Sequence, residues 1–205
     1  MPDAVWNLVH QERAALIEDL SHLTDAQWHH PSLCADWTIH DVAAHLVDTH
    51  RTTRLSFITA LALARFDFDR QNTRGMLRHR APTPTETLQR LRDSATRTST
   101  PPAPLDSRLV EEIVHGEDIR RPLNLTRTYP PEAVTRALLL QTRTPAAFGG
   151  AKELLTQIHL TATDSDLSLG SGPQLQGPTL DLLLAISGRR IALANLTGPG
   201  LTAFD

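Results

Sequence analysis

Cysteine, aromatic residues, an excess of basic charge and long apolar runs are all scarce in this chain. Its 205 residues include one cysteine, Cys34, so no disulfide can close within the chain and a cysteine-rich zinc site is excluded. Aromatics make up 4%, so the core must come mostly from Leu, Ala, Val and Ile. Lys and Arg total 20 against 23 acids, a net charge of −3 spread along the chain. Nucleic-acid binders carry a basic balance or a clustered basic face, so that class of partner is not expected. The longest apolar stretch, near residues 57–66, is about half of the ~20 residues that a membrane span needs. The first twenty residues interleave charges with apolar positions and hold no signal-peptide core. A cytoplasmic protein without membrane or nucleic-acid partners is the expectation. Lys152 is the only lysine, a bias that fits a GC-rich genome and says nothing of mechanism.

What is present suffices for a packed core: 40% hydrophobic residues, in a length that allows one large domain or a main domain with a small one. Val5, Leu8, Val9, Leu16 and Leu20 form one apolar stripe and predict a helix over residues 4–20. Thr24 and Gln27 suit a capping box, and residues 31–36 a loop. Thr38, with Asp41 three residues on, opens a second helix that the pattern carries through Phe57 to about residue 64. The polar, Arg-rich stretch 66–84 reads as a loop. Thr83, Pro84 and Glu86 open a third helix, fading by residue 96. The fourth runs over about 106–121, where Pro122 stops it. Four such helices suggest an up-down bundle. From residue 130 the pattern changes to a helix over 133–141, a strand within 154–163, a hairpin of 167–169 with 174–176 about Gly170-Ser171-Gly172-Pro173, and a buried helix over 179–187 capped by Gly188. The fold class expected is mainly α, a helical bundle over residues 1–125 and a small α+β domain over 130–205.

Histidine is the informative residue type; there are ten. Glu111 and His115 stand at i and i+4, one turn apart on one helix face, where both can reach one ion. Asp118, three residues further, can orient the imidazole through a hydrogen bond to its other nitrogen. On the wheel Arg108, Glu111, Glu112, His115, Asp118 and Ile119 group opposite Leu109, Val110, Ile113 and Val114, so a plain solvated face is the competing reading. His45 lies between Val42 and Leu46 on the face that ought to be buried, where a core histidine is the competing reading. His50, about 140° away on the wheel, is a poor partner for the same ion. Taken together, one inward His and a Glu/His pair make three N/O donors with one position open, the pattern of a catalytic zinc site rather than a closed structural one.

The stretch Pro31-Ser32-Leu33-Cys34-Ala35-Asp36-Trp37-Thr38-Ile39-His40-Asp41-Val42-Ala43-Ala44-His45-Leu46 resembles a signature of the mycothiol-dependent maleylpyruvate isomerase family, within the DinB-like superfamily of bacterial metal-binding bundles. The run from Val110 to Leu123, with His115-Gly116-Glu117-Asp118-Ile119-Arg120-Arg121-Pro122, resembles a second signature. Ala162-Thr163-Asp164, the Gly172-Pro173 turn, Leu182 to Arg189 and Gly198-Pro199-Gly200 resemble the family's smaller C-terminal domain, so the likeness covers most of the chain and is weakest over residues 66–104. The resemblance implies a DinB-like four-helix bundle binding a divalent metal, zinc by preference, through His45, Glu111 and His115, with mycothiol, the thiol of actinobacteria, as cosubstrate. It implies an isomerase or S-transferase acting on a small electrophilic substrate. Arg189 and Arg190, or Arg74 and Arg78, are candidate contacts for substrate or thiol, and Cys34 suits packing better than attack. A non-catalytic metal- or ligand-binding bundle with a regulatory or stress role, and a plain helical interaction module, are the other classes. A monomer or homodimer is compatible with all of them.

Overall fold

Threonines set where the helices of the N-terminal unit begin. In the computed structural model, which describes residues 2–205, α2 (Asp25–Trp28), α3 (Ile39–Arg51), α4 (Arg54–Leu63) and α6 (Pro84–Ser94) start behind Thr24, Thr38, Thr53 and Thr83. Each hydroxyl accepts the N–H of the third helical residue, which satisfies one of the donors that a helix start leaves unpaired. At Thr24, Thr38 and Thr53 the side chains of Gln27, Asp41 and Ser56 return the bond. α1 (Pro2–Ser21) and α7 (Ser107–Arg120) complete the frame: α3 lies against both α6 and α7, and α1 against both as well. Leu16, Leu20, Ile39, Val42, Leu46, Leu91 and Ile119 form the buried centre between these four helices. Burying one such side chain contributes about 1.5–3 kcal/mol.

Two expectations in this unit need correction. The second predicted helix does not run to residue 64. Thr52 turns to an extended ψ of 120°, and Thr53 restarts the chain as α4. Apolar periodicity continues across the break, but two adjacent β-branched hydroxyl residues offer the backbone its caps there. The Arg-rich stretch 66–84 is not a loop throughout. It contains α5 (Phe68–His79), capped by Asp67, whose carboxylate accepts the Arg70 N–H at 2.9 Å. This helix faces α3 with Gln71, Gly75 and Met76, a narrow and weakly apolar strip that sequence periodicity passes over. α4 buries none of its residues and exposes Leu55, Ile58 and Leu63.

The unit Pro130–Asp205 is mixed. Its helices α8 (Pro131–Gln141) and α9 (Thr179–Ile186) pack on each other, and α9 also touches two strands of a small sheet. The sheet has β1 (His159–Ala162) in the centre, β2 (Ser168–Gly170) antiparallel on one side and β3 (Gln174–Gly177) parallel on the other. The expected hairpin of 167–169 with 174–176 is therefore not formed. Both segments are strands, but Gly170 and Gly172, at φ 94° and 117°, carry the chain past the start of β1 to its far side. Leu160 sits opposite Leu169 and Leu175, which places the sheet's apolar residues in register. α9 ends as expected of Gly188: with this glycine at φ 85°, its N–H bonds the Ala185 carbonyl and the Arg189 N–H the Leu184 carbonyl, a Schellman closure. Among the described residues no helix is long and apolar enough to cross a membrane.

Candidate metal centre

α7 carries its polar face inward. Arg108, Glu112 and Asp118 are all buried, so the solvated-face reading of this helix does not hold. Two separate polar clusters result. One is built from Glu112, with Arg13 Nε at 2.8 Å and His50 Nε2 at 3.1 Å, and His50 Nδ1 lies 3.1 Å from Ser94 Oγ. His50 therefore belongs to a different cluster from His45, in line with its angular offset.

The other cluster joins α3 to α7. His45 Nε2 lies 3.4 Å from Glu111 Oε2, and His115 Nε2 lies 3.5 Å from the same oxygen. The three donor atoms all fall within 4.8 Å of one another, and the two imidazole rings meet edge to face at 4.8 Å. Separations of 3.4–3.5 Å are too long for good hydrogen bonds. They match the edge of a tetrahedron, about 3.3–3.4 Å, around an ion with metal–ligand bonds of about 2.0–2.1 Å. Glu111 Oε2 is buried and makes no hydrogen bond among the described residues. A buried carboxylate oxygen left so costs free energy unless a cation meets it. The donor set and its spacing thus fit a divalent ion.

The electrostatics point the same way. Burial acts to raise the Glu111 carboxyl. The His45 imidazole beside it and the charges of His115 and Arg108 outweigh that and hold it well below the usual carboxylate range. Burial opposes the charged form of His115. The hydrogen bonds of its Nδ1 edge with Asp118 and Cys34 prevail and push it up to about 10. The site gathers positive charge around one carboxylate, and a divalent ion among the three donors would take the place of a proton on Nε2.

Asp118 Oδ2 lies 2.8 Å from His115 Nδ1, so it holds the ring with Nε2 toward Glu111. The same oxygen accepts the Cys34 thiol at 3.0 Å, with Cys34 Sγ 3.7 Å from His115 Nδ1. Cys34, His115 and Asp118 also converge as potential ligands. Their 2.8 and 3.0 Å separations, however, are those of groups already hydrogen-bonded to each other, and the spacing favours the His45, Glu111, His115 set. Cys34 was expected to pack, and its link to Asp118 carries no sequence signal, since the two are 84 positions apart. Trp37, part of the first signature, places its ring 5.2 Å from that of His45 and walls one side of it.

The candidate arginines each bond a carbonyl of their own unit or stand exposed in it. Arg189 Nη1 donates to the Ser187 carbonyl and Arg190 Nη1 to the Phe204 carbonyl, both within the C-terminal unit. Arg74 Nη1 donates to the Leu63 carbonyl at 2.8 Å, and Arg78 stands exposed on α5.

Residues 9–107 match the family model described as the mycothiol maleylpyruvate isomerase N-terminal domain. No curated protein matches the chain. Two solved structures are similar in fold over nearly the whole chain. One is the crystal structure of a mycothiol-dependent maleylpyruvate isomerase, with a TM-score of 0.66, 13% identity and coverage of 97% of this chain and 93% of that one. The other is a histidine-to-alanine mutant of such an enzyme, with a TM-score of 0.65 and the same identity and coverage.

Proposed function

The chain belongs to the mycothiol-dependent maleylpyruvate isomerase family, and on that premise we propose that it is a metal- and mycothiol-dependent isomerase or S-transferase for a small electrophilic substrate. His45, Glu111 and His115 are the ligands in this reading, and zinc is the ion that two imidazoles, one carboxylate and an open position suit best. The observation that carries it is the pair of 3.4 and 3.5 Å contacts to a Glu111 oxygen that no hydrogen bond satisfies.

When bound, the ion stabilises the deprotonated form of the thiol at neutral pH. The protein's own groups prepare that chemistry. Asp118 fixes the tautomer of His115 and turns its Nε2 lone pair inward. Trp37 covers one flank of His45 and keeps water from it. Glu111, held anionic by its surroundings, balances the ion's charge. In an isomerisation the thiol sulfur adds to an electrophilic alkene carbon, forming a C–S bond while the alkene pair moves onto the conjugated carbonyl. The former double bond then rotates. Return of the pair expels the thiolate, so the thiol is regenerated. In a transfer, a leaving group departs with its bonding pair and the C–S bond remains.

Elemental analysis and a mycothiol-dependent assay test the reading together. The expected result is about one equivalent of zinc in the wild type, its loss in His45→Ala, and cis-to-trans conversion of maleylpyruvate, or conjugation of an electrophile, only with both metal and mycothiol present. A protein that binds the ion but turns over no electrophile with mycothiol is a binding protein, and the enzymatic reading is then wrong.

A further inference from the structure

α4 carries an apolar face that the protein leaves in water. Between Arg54 and Arg65 stand ten residues without a charge, Leu55-Ser56-Phe57-Ile58-Thr59-Ala60-Leu61-Ala62-Leu63-Ala64. A helix apolar on nearly all sides is ordinarily an interior one, yet α4 buries none of its residues. Its half-buried positions, Phe57, Ala60 and Leu61, fall on one side, where the Phe57 ring lies 6.4 Å from that of Phe68 on α5. Leu55, Ile58 and Ala62, at i, i+3 and i+7, form a stripe on the other side. Leu55 is 75% exposed and Ile58 56%, and Phe66, just past the helix end, is 78% exposed. Arg65 and Phe66 both hold positive φ, 60° and 62°, a conformation uncommon away from glycine, and it keeps the Phe66 ring outside. Contiguous exposed apolar surface rimmed by polar residues marks a docking surface.

Charge selects the occupant. Residues 51–79 hold six arginines, Arg51, Arg54, Arg65, Arg70, Arg74 and Arg78, against Asp67 and Asp69, an excess of four positive charges in a chain of net charge −3. All six are exposed. Arg51 and Arg54 precede the stripe, and Arg65 and Arg70 stand on either side of Phe66 in the chain. Arg74 Nη1 donates to the Leu63 carbonyl, which fixes a further guanidinium at the same end of α4. A second copy docked through α4 would bring like charge against like. An acidic polypeptide would meet the arginines and leave Leu55 and Ile58 in water. An anionic lipid surface answers both features: its headgroups face the guanidinium groups, whose apolar stems follow the interface, and the stripe enters the boundary of the acyl chains.

We propose that α4 docks on an anionic lipid bilayer, lying in the plane of the interface with Leu55, Ile58, Ala62 and Phe66 at the headgroup–acyl boundary. No span is involved: the 10 residues of α4 are about 15 Å long, half of a hydrocarbon core of ~30 Å. Nothing is required of the metal or of thiol chemistry. The test is flotation of the full chain with vesicles of phosphatidylglycerol and phosphatidylcholine, and with phosphatidylcholine alone, at about 50 and about 500 mM salt. Two double variants accompany it. Leu55→Ser with Ile58→Ser removes the stripe from a helix that has no buried residue, and Arg51→Gln with Arg54→Gln removes two of the charges. A third variant, Ile58→Trp, keeps the stripe apolar and supplies a fluorophore. Partition into the anionic vesicles at least about tenfold above that into phosphatidylcholine is expected, weakened about tenfold or more by high salt and by each double variant, with the wild-type melting temperature retained. The emission of Ile58→Trp, less that of the wild type, should shift to the blue only with the anionic vesicles. The proposal is overturned if the protein floats with neither vesicle or equally with both, if a double variant floats as the wild type does, or if the added emission does not shift. It is also overturned if soluble poly-L-glutamate binds as tightly as the vesicles and only the arginine variant weakens it, which would assign the patch to an acidic polypeptide.

Discussion

Stripping the protein with a chelator and adding zinc back should raise its melting temperature, and His45→Ala should abolish that response. The magnitude follows from geometry and linkage. The contacts of 3.4 and 3.5 Å to Glu111 Oε2 correspond to tetrahedral metal–ligand bonds of about 2.1 Å, close to those of zinc with nitrogen and oxygen. The ion therefore finds its donors nearly in place in the folded chain and scattered in the unfolded one, and it stabilises the fold by mass action. At about a hundred times its dissociation constant the gain is about 2.7 kcal/mol. For a chain of this length each kcal/mol moves the midpoint by about 2–4 °C, so an upward shift of about 5–10 °C is expected. Scanning calorimetry on stripped wild type, His45→Ala and Glu111→Gln, each with and without zinc, reads it directly. His45→Ala also loses packing against Trp37, so its stripped midpoint differs from that of the wild type, and the quantity to compare is the zinc-induced shift. An equal shift in wild type and His45→Ala would place the ion elsewhere and refute the assignment. No shift in the wild type would leave the three residues a polar cluster without an ion.

Three further outcomes probe the frame around the site. Arg13→Met leaves Glu112 buried with His50 as its remaining partner and removes donors to the Ala95 and Arg97 carbonyls; urea denaturation should show a loss of about 3–5 kcal/mol, part of which returns in the double variant with Glu112→Gln. His40 is buried, has Nε2 2.7 Å from the Thr87 hydroxyl, and has its pKa lowered to about 4 by burial and by the charge of Arg80. A histidine kept neutral in the fold stabilises fully above its unfolded value of about 6.5, and that contribution is lost as pH falls from about 6.5 to about 4. Over that window the wild type should lose up to about 3 kcal/mol more than His40→Gln, since each tenfold difference in proton affinity between the folded and unfolded chain is worth about 1.4 kcal/mol, and parallel pH curves would show that His40 is not held neutral. Tyr129→Phe removes the hydroxyl that accepts from buried Arg120 and donates to Glu117, each at 2.8 Å, and should cost about 1–3 kcal/mol in a thermal or urea melt.

Helices α1, α3, α6 and α7 of the N-terminal unit are legible in the sequence because local chemistry and periodicity agree there. Thr38 with Asp41, and Thr83 with Pro84, mark starts that the structure reproduces within a residue or two. Where the two signals part, reading fails. Residues 52 and 53 interrupt an unbroken apolar pattern with side-chain caps, and α5 buries so narrow a strip that its arginines hide it. The turn at Gly170-Ser171-Gly172-Pro173 looks local but serves a crossing whose partner, β1, lies earlier in the chain. At the site, the i, i+4 spacing of Glu111 and His115 and the inward place of His45 are sequence properties, and the structure brings their donor atoms together. That α7 turns its polar side into the unit is not such a property. It depends on Arg13 and His50, which come from other helices to meet Glu112.

Why these three donors meet at all is answered by the segment between α2 and α3. Its ends are tied by a bridge between Pro31 and Thr38, and the Ser32 N–H and hydroxyl both bond the Trp37 carbonyl. From this closed loop Leu33 N–H reaches the Asp118 carbonyl of α7 at 3.1 Å, and the Cys34 thiol reaches the Asp118 carboxylate. Asp118 thus receives the start of α3 through its backbone and Cys34 through its side chain, while the same carboxylate orients His115. Trp37, on the loop, packs on His45 about two turns further along. The register of α3 against α7 is set by a wholly buried residue that stands outside the His45, Glu111, His115 triad. A helix pair held by apolar packing alone can slide with little change in burial, and a slide of one residue rise, about 1.5 Å, would break a ligand edge of 3.4 Å. Hydrogen bonds at a single node do not allow that slide. In the proposed metal-bound state, the precision needed at the donor triad is therefore supplied by the buried Asp118 node.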